Sequence, residues 1–407
     1  MKRIILLLLL GCLPKECLWV AIDQKADLRR VFCMRPQALA ESKARVARGD
    51  EALNPALEAL VRDADTALKA GPFSVMDKIL TPPSGDKHDY LSFGPYWWPD
   101  PKKPDGLPYI RRDGEVNPES RGRRSDRDGL GGMASAVETL ALAHYFTGKG
   151  DYAEHAAMLL RAWFLDKATR MNPHLQYGQA IPGRVEGRGI GLIDTTRLAR
   201  VVDAVGLLGA SSAWTEADQE GFEAWFAAFL DWMLTSGHGR DEARAANNHG
   251  TWYDVQVASF AMFLGREDLA RRTVEGVRRR IDSQIRPDGS QPHELARTRS
   301  LGYSTMNLRG FFQLAVLGEH VGVDLWRYRG PDGQGLKPAL DFIAPYADAD
   351  TQWPHKQISH FNRMGMLELL ADGVRIYQDK TYKELIRRLP ADEVAMNRAR
   401  LTMAAGW

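Results

Sequence analysis

The sequence predicts an all-α protein built from helical hairpins laid side by side, as an open solenoid or closed into a toroid. Three observations carry this reading. Apolar residues recur at i, i+3, i+4 and i+7 along most of the 407 residues. Alternating polar and apolar runs, which mark strands, are scarce. The stripes also come in consecutive pairs joined by short turns, the pattern of αα-hairpins that can bury their apolar faces only against one another.

The first element is a leader. "MKRIILLLLLGCLPKEC" sets Lys2 and Arg3 before an apolar run, Ile4 to Leu10, that is too short to span a bilayer but fits the core of a signal peptide. Gly11-Cys12 resembles a lipobox, in which Cys12 would take a lipid and become the mature N-terminus. Ordinary cleavage near Ala21 would put a bulky Trp19 at the −3 position. The expectation is a signal segment over 1–21 and export, either as a periplasmic protein or as a lipoprotein anchored in the outer membrane. Beyond Cys12 only Cys17 and Cys33 remain, a possible pair but too few to build a scaffold. A lead-in over 22–50, one domain over 51–390 and a tail over 391–407 complete the expected layout.

The helices follow in order. Leu53 to Leu68 gives the first stripe. Leu130, Met133, Ala134, Val137, Leu140, Ala141 and His144 give the next; "TGKGD" turns the chain, and Tyr152, Ala156, Leu159, Leu160 and Trp163 repeat the pattern. Further stripes run from Leu198 to Leu208, Phe222 to Met233, Trp252 to Leu264, Leu269 to Ile285, Met306 to Leu317 and Met364 to Ile376.

Two stretches break the pattern. From Pro72 to Asp128 the chain is rich in Pro and Gly, and "FGPYWWPDPKKPDGLPYIRRDGEVNPE" cannot hold a regular helix, because each proline removes a donor and clashes with the preceding turn. Tyr96, Trp97, Trp98 and Tyr109 argue that this long loop packs. The second stretch, "NPHLQYGQAIPGRVEGRGIGLID" over 172–194, holds five glycines. Loops on a rigid scaffold are where binding and catalysis tend to lie.

Composition narrows the partners. Hydrophobic residues make up 44% and charged residues 26%, the balance of a globular chain, and a net charge of +2 provides no bulk field for nucleic acid. Local basic clusters stand apart from that average: Arg111, Arg112, Arg121, Arg123, Arg124 and Arg127 would suit an acidic polymer or simply be solvated.

Chemistry concentrates in two further segments. "AANNHGTWYDVQ", 245–256, places Asn248 and His249 just before a helical stripe, where Asn248 or Thr251 could serve only as a cap. "DGSQPHELARTRSLGYSTMNLRG", 288–310, adds Arg297 and Tyr303. Together these residue types supply what β-elimination from a uronic acid needs. The C5 proton is a poor acid while the adjacent carboxylate is charged, so Asn248 and Arg297, helped by His249, would neutralise that carboxylate. His249 or Tyr303 would take the proton, and Tyr303 would protonate the departing O4. A nearby cation would lower the Tyr303 pKa toward that of a base.

The segments "NNHGTWYD", "DGSQPHELARTRSLGYS", "NPHLQYGQAIPGRVEGRGIGLIDT" and "FGPYWWPDP…PYIRRDGEVNPE" together resemble the alginate lyase superfamily of polysaccharide lyases, over roughly residues 50 to 380. The resemblance implies an (α/α) toroid acting on a polyuronate, with Asn248, His249, Arg297 and Tyr303 as the catalytic set and Arg299 as a competing arginine. The "YWWPDP" segment is similar to a divergent branch that includes glucuronan-active members, which leaves alginate, polymannuronate or glucuronan as substrate. Tyr96, Trp97 and Trp98 would stack on sugar rings or plug one end of the toroid. Tyr177, Gln179 and Arg188 would contact the polymer or lock their loop. No cofactor or metal is expected: His355 and His360 are five apart, off helical ligand spacing, and Arg and Asn already fill a metal's electrostatic role. The expected partner is an anionic polysaccharide, with a possible lipid anchor. Two rival readings are a glycoside hydrolase using two of Asp194, Asp254 and Glu294, and a non-catalytic carbohydrate-binding lipoprotein.

Overall fold

A computed structural model describes residue 28 and residues 30–209, 211–403 and 406–407. The leader, with Cys12, Cys17 and Ala21, lies outside these residues. The chain folds as helices α1 (Pro36–Ala47), α2 (Asn54–Ala67), α3 (Arg127–Thr147), α4 (Gly150–Leu160), α5 (Leu198–Leu208), α6 (Glu216–Thr235), α7 (Gly237–Ala243) and α8 (Asn248–Phe263). It continues through α9 (Glu267–Gln284), α10 (Pro292–Leu295), α11 (Ser300–Val321), α12 (Leu336–Ile343), α13 (Leu367–Tyr377), α14 (Lys380–Ile386), α15 (Ala391–Met396) and α16 (Ala399–Thr402). Each predicted stripe lies on a helix.

The helices form two layers. α3, α5, α8 and α11 pack in succession, and α4, α6 and α9 cover them as hairpin partners. An inner helix must be apolar nearly all round, and α5 is buried from Leu198 to Leu208. Polar residues on inner α8 bond within the core: Gln256 Oε1 accepts from Thr195 Oγ1 at 2.7 Å, and Thr251 Oγ1 donates to Gln284 at 3.1 Å. Outer α9 buries the stripe Ala270, Val274, Val277, Ile281 and Gln284 and turns most of its charges outward. Edge-on and tilted ring pairs from Phe164, Phe222, Trp225, Phe226 and Phe260 fill the space between the layers. No helix among the described residues is long and apolar enough to cross a membrane.

The C-terminal helices pack on the first two described helices. The segment 391–407, read from sequence as a tail, folds into α15 and α16, which pack on α2 and α1. These helices have only six and four residues, too short for a periodic signal, and burial of Ala399 and Leu401 holds them in place. Cys33 is a buried free thiol whose Sγ lies 3.6 Å from Ser259 Oγ.

The two irregular stretches find one another. β1 (Leu91–Phe93), from the proline-rich loop, pairs in parallel with β4 (Tyr177–Ala180), from the glycine-rich one. β2 (Trp97–Trp98) pairs antiparallel with β3 (Ile110–Arg111), Trp97 opposite Arg111. The glycine-rich loop needs its glycines because it packs on itself: a Cβ at Gly191 would sit 2.7 Å from the Gly178 main chain. Within the proline-rich stretch Lys78 and Asp126 form a buried ion pair at 3.1 Å.

Candidate active site

A cleft of about 470 Å³ opens where the two loops meet the N-terminal turns of α8 and α11. Both helices turn the positive end of their dipole toward this wall, which favours an anion, although the N–H groups of Asn248, His249, Ser300 and Leu301 already have acceptors. Asn248 and His249 come from the first turn of α8, and Tyr303 from the first turn of α11. Arg297 and Arg299 come from the link before α11; Tyr96, Trp97, Gln179 and Arg188 come from the loops.

His249 is oriented by Glu242, a buried residue of α7. Its Nδ1 lies 2.8 Å from Glu242 Oε1. A carboxylate only accepts, so Nδ1 carries the hydrogen and the Nε2 lone pair remains available. Asn248 does not cap its helix: Asn247 does, accepting from the His249 N–H at 3.2 Å, and Thr251 is tied to Gln284. The Asn248 side chain is 1% exposed. Its main-chain N–H and Nδ2 donate to the two oxygens of Glu294 at 2.7 and 2.8 Å, which fixes the amide and leaves one Nδ2 hydrogen over. Burial raises the Glu294 pKa, and the bonds from Asn248 oppose that rise.

Arg297 is held away from the role the sequence suggested. Its Nε and Nη2 donate to Asp113, Nη2 at 2.8 Å, and Nη2 also donates to the Tyr303 hydroxyl at 2.8 Å. Asp113 thus already neutralises the guanidinium that was expected to meet a substrate carboxylate. Burial pulls the Asp113 carboxyl up, but the bonds from Arg297 and Thr298 prevail and hold it well below the usual range. The Tyr303 hydroxyl lies 2.7 Å from that of Tyr96. Burial, then Tyr96, push the Tyr303 pKa above its ordinary value, and Arg297 lowers it only in part. The sequence predicted the opposite direction because it shows the nearby cation but neither the burial nor the second phenol.

The loop residues divide. Gln179 has φ 49°, a strained conformation for a non-glycine residue, and bonds Asp194 and Arg188. Burial and neighbouring Arg111 push the Arg188 pKa down to about 10. Trp97 lines the cleft with Arg184 and Arg188 guanidinium carbons 5.1 and 5.8 Å from its ring centre. Trp98 and Tyr177 do not line it: Trp98 bonds the Glu115 carbonyl beside Arg112, and Tyr177 is taken up by the β1–β4 pairing. Of the six-arginine cluster, Arg111 and Arg127 reach the cleft. Arg121 pairs with Asp128, and Arg123 bonds the Asp77 carbonyl.

Among the described residues the lining therefore holds five arginines, at 111, 127, 188, 297 and 299, and no aspartate or glutamate. The carboxylates nominated for hydrolysis are occupied elsewhere. Asp194 bonds Tyr90, Ser92 and Gln179, Asp254 pairs with Arg280, and Glu294 clamps Asn248. Glu242 and Asp113, which position His249 and Arg297, were not singled out from the sequence.

A helical toroid with an arginine-walled cleft that holds His249 and Tyr303 fits the class of polysaccharide lyases. The alginate lyase family model matches residues 74–353, and the chain belongs to that family. The crystal structure of an alginate lyase from Bacteroides ovatus is 41% identical, with a TM-score of 0.88 over 92% of this chain and 99% of that one. Alginate lyase A1-III from Sphingomonas species A1, 16% identical with a TM-score of 0.61 over 97% of this chain and 100% of that one, shares the fold. A variant of A1-III complexed with a tetrasaccharide superposes equally well, with a TM-score of 0.61 at 16% identity over 95% of this chain and 99% of that one. Comparison with curated proteins gives no match.

Proposed function

We propose that the enzyme cleaves a uronic-acid polymer of the alginate, polymannuronate or glucuronan type by β-elimination, with Asn248, His249, Arg297 and Tyr303 as its working residues. The observation that supports this most is the lining itself: five arginines facing a cleft without a carboxylate suit a polyanion and leave no acid–base pair for hydrolysis. In this reading His249 Nε2 takes the C5 proton, since Glu242 fixes the tautomer that leaves it bare. The remaining Asn248 hydrogen and the two helix N-termini stabilise the enolate-like charge on the substrate carboxylate. Tyr303, kept neutral by its surroundings, gives its proton to O4 as the C4–O4 bond breaks and the C4=C5 bond forms. Arg297 acts through Tyr303, holding the hydroxyl in place. Tyr96, Trp97, Gln179 and Arg188 contact the polymer.

Incubation with polymannuronate, polyguluronate, glucuronan and hyaluronan tests this. A lyase raises the ultraviolet absorbance of an unsaturated uronate on at least one of them. New reducing ends without that absorbance would sink the reading, and binding without either would favour a carbohydrate-binding lipoprotein. We further propose export to the periplasm or the outer membrane, on the strength of Lys2, Arg3 and the Ile4 to Leu10 run. Loss of membrane association in a Cys12→Ala protein would identify the lipid-anchored form.

A further inference from the structure

His249 depends on a helix that cannot hold its own place. α7 has seven residues, far below the length at which a helix is stable alone, yet it carries Glu242, which orients His249 across the link 244–247. The main-chain N–H groups of Arg244 and Ala245 close the end of α7 on the carbonyls of Asp241 and Glu242. The carbonyls of Ala243 and Ala245 go instead to Arg280, on outer α9, whose Nη2 and Nη1 donate to them at 2.7 and 2.9 Å. A cation suits that position, because a helix ends with unpaired carbonyls and the negative end of its dipole.

The same guanidinium grips α8. Its Nε and Nη2 donate to the two carboxylate oxygens of Asp254 at 2.5 and 3.1 Å, and both side chains are largely buried. Asp254 stands on the same helix as His249, further along it. Gly250 makes room for the arrangement: a Cβ there would lie 2.3 Å from Arg280 Nη1 and 2.1 Å from the Ala245 carbonyl oxygen. One planar fork thus ties the end of α7, the link and the first turns of α8, the three pieces whose relative position sets the 2.8 Å contact between Glu242 and His249. Arg280 does this from behind, lining with Ala243 and Asp254 a groove separate from the cleft that holds His249.

We infer that Arg280 is a positioning residue for His249, clamping the α7–α8 link from outside the cleft so that Glu242 and His249 stay in register. This rests on the base role proposed for His249 above. Arg280→Lys keeps the charge opposite Asp254 but replaces a rigid fork that serves both Asp254 oxygens and two carbonyls by a single ammonium. The link and the helix end are then free to drift, and a displacement of about 1 Å at a reacting group can cost on the order of 10² in rate.

Steady-state kinetics on a polyuronate that the wild type cleaves provides the test. Arg280→Lys should lower kcat by about tenfold or more and leave KM within about threefold, because the residues lining the cleft are untouched. In a Glu242→Gln background the same substitution should cost less than about twofold, since the contact it protects is already lost. Proton NMR supplies a readout that lost stability alone would not move. The downfield Nδ1–H resonance of His249, identified by its absence from Glu242→Gln, should shift or broaden in Arg280→Lys. If Arg280→Lys does not fold, Arg280→Met combined with Asp254→Asn decides, since removing both charges strands neither, and it should show the same loss in kcat. A folded variant with wild-type kcat, a loss that adds in full to that of Glu242→Gln, or an unchanged resonance overturns the inference while the lyase reading stands. No unsaturated ends from the wild type on any polyuronate would defeat both.

Discussion

The hydroxyls of Tyr96 and Tyr303, 207 residues apart in the chain, lie 2.7 Å from each other. One comes from the proline-rich loop and the other from the first turn of α11. Asp113 of the same loop grips Arg297, whose guanidinium carbon is 3.8 Å from the Tyr303 ring centre. The scaffold alone thus positions Asn248 and His249, while the loop completes the half of the site that carries Tyr303 and Arg297.

Tyr96→Phe tests that completion through pH. As the acid, Tyr303 must be protonated, so activity persists below its pKa and is lost as pH rises through it. Burial first, then Tyr96, hold that pKa above the ordinary phenol value of 10.0, which puts the alkaline limb above pH 10. Removing the Tyr96 hydroxyl takes away one upward push, and the limb should move to lower pH. The rate at neutral pH should fall by no more than about tenfold, the worth of one hydrogen bond. An alkaline limb at the wild-type position in a pH–rate profile would disconnect the two phenols.

Glu242→Gln should cut kcat by on the order of 10² to 10⁴ with the fold intact. A glutamine can offer its N–H₂ to His249 Nδ1 and so favour the tautomer whose Nε2 is protonated, which cannot act as a base; the same change in a serine-protease triad costs about 10⁴. Steady-state kinetics with circular dichroism as a control checks this. Retention of more than about a tenth of the wild-type rate would remove His249 from the base role.

Lys78→Met should destabilise the protein by about 3–5 kcal/mol, because it leaves Asp126 buried without its cation. Both side chains are at most 1% exposed, and Lys78 Nζ also donates to the carbonyls of Val75 and Lys87 at 2.7 and 2.5 Å. Urea unfolding measures the difference. A loss below about 1 kcal/mol would show that the pair is not needed to anchor the loop on α3.

Chelation should leave turnover within about twofold. Charge neutralisation in the proposed reaction comes from Asn248 and the arginine-lined wall, positioned as preorganised donors. Assay after exhaustive EDTA dialysis decides; recovery of a lost rate on adding a divalent cation would reassign that electrostatic role.

The helices were legible because a period of 3.6 survives tertiary packing, and Leu130 to Trp163 reads as a hairpin from spacing alone. Asn248, His249, Arg297 and Tyr303 were legible because polar residues gather at the starts of two apolar stripes. Asp113 and Glu242 were not. One sits in a "DGE" turn and the other on a seven-residue helix, and only the tertiary fold brings them to Arg297 and His249. The β1–β4 pairing escaped because strands of three and four residues are too short to show alternation. Trp98 and Trp97 look equivalent in sequence, yet strand geometry sends consecutive side chains to opposite faces, and only Trp97 faces the cleft.

Tyr303→Phe separates packing from chemistry. The substitution keeps the ring, and with it nearly all the buried apolar contact and the Arg297 guanidinium stacked on its face. A purely structural tyrosine would therefore lose only its hydrogen bonds to Tyr96 and Arg297, about 0.5–1.5 kcal/mol of stability each, with turnover little changed. A tyrosine that protonates O4 would lose on the order of 10² to 10⁴ in rate, the usual contribution of a positioned acid. Substrate should still bind, since Asn248, Arg188 and Arg299 remain, so KM should move far less than kcat. Measured on a polyuronate that the wild type cleaves, a Tyr303→Phe protein keeping more than about a tenth of the wild-type kcat would fall outside that range and return the residue to the core.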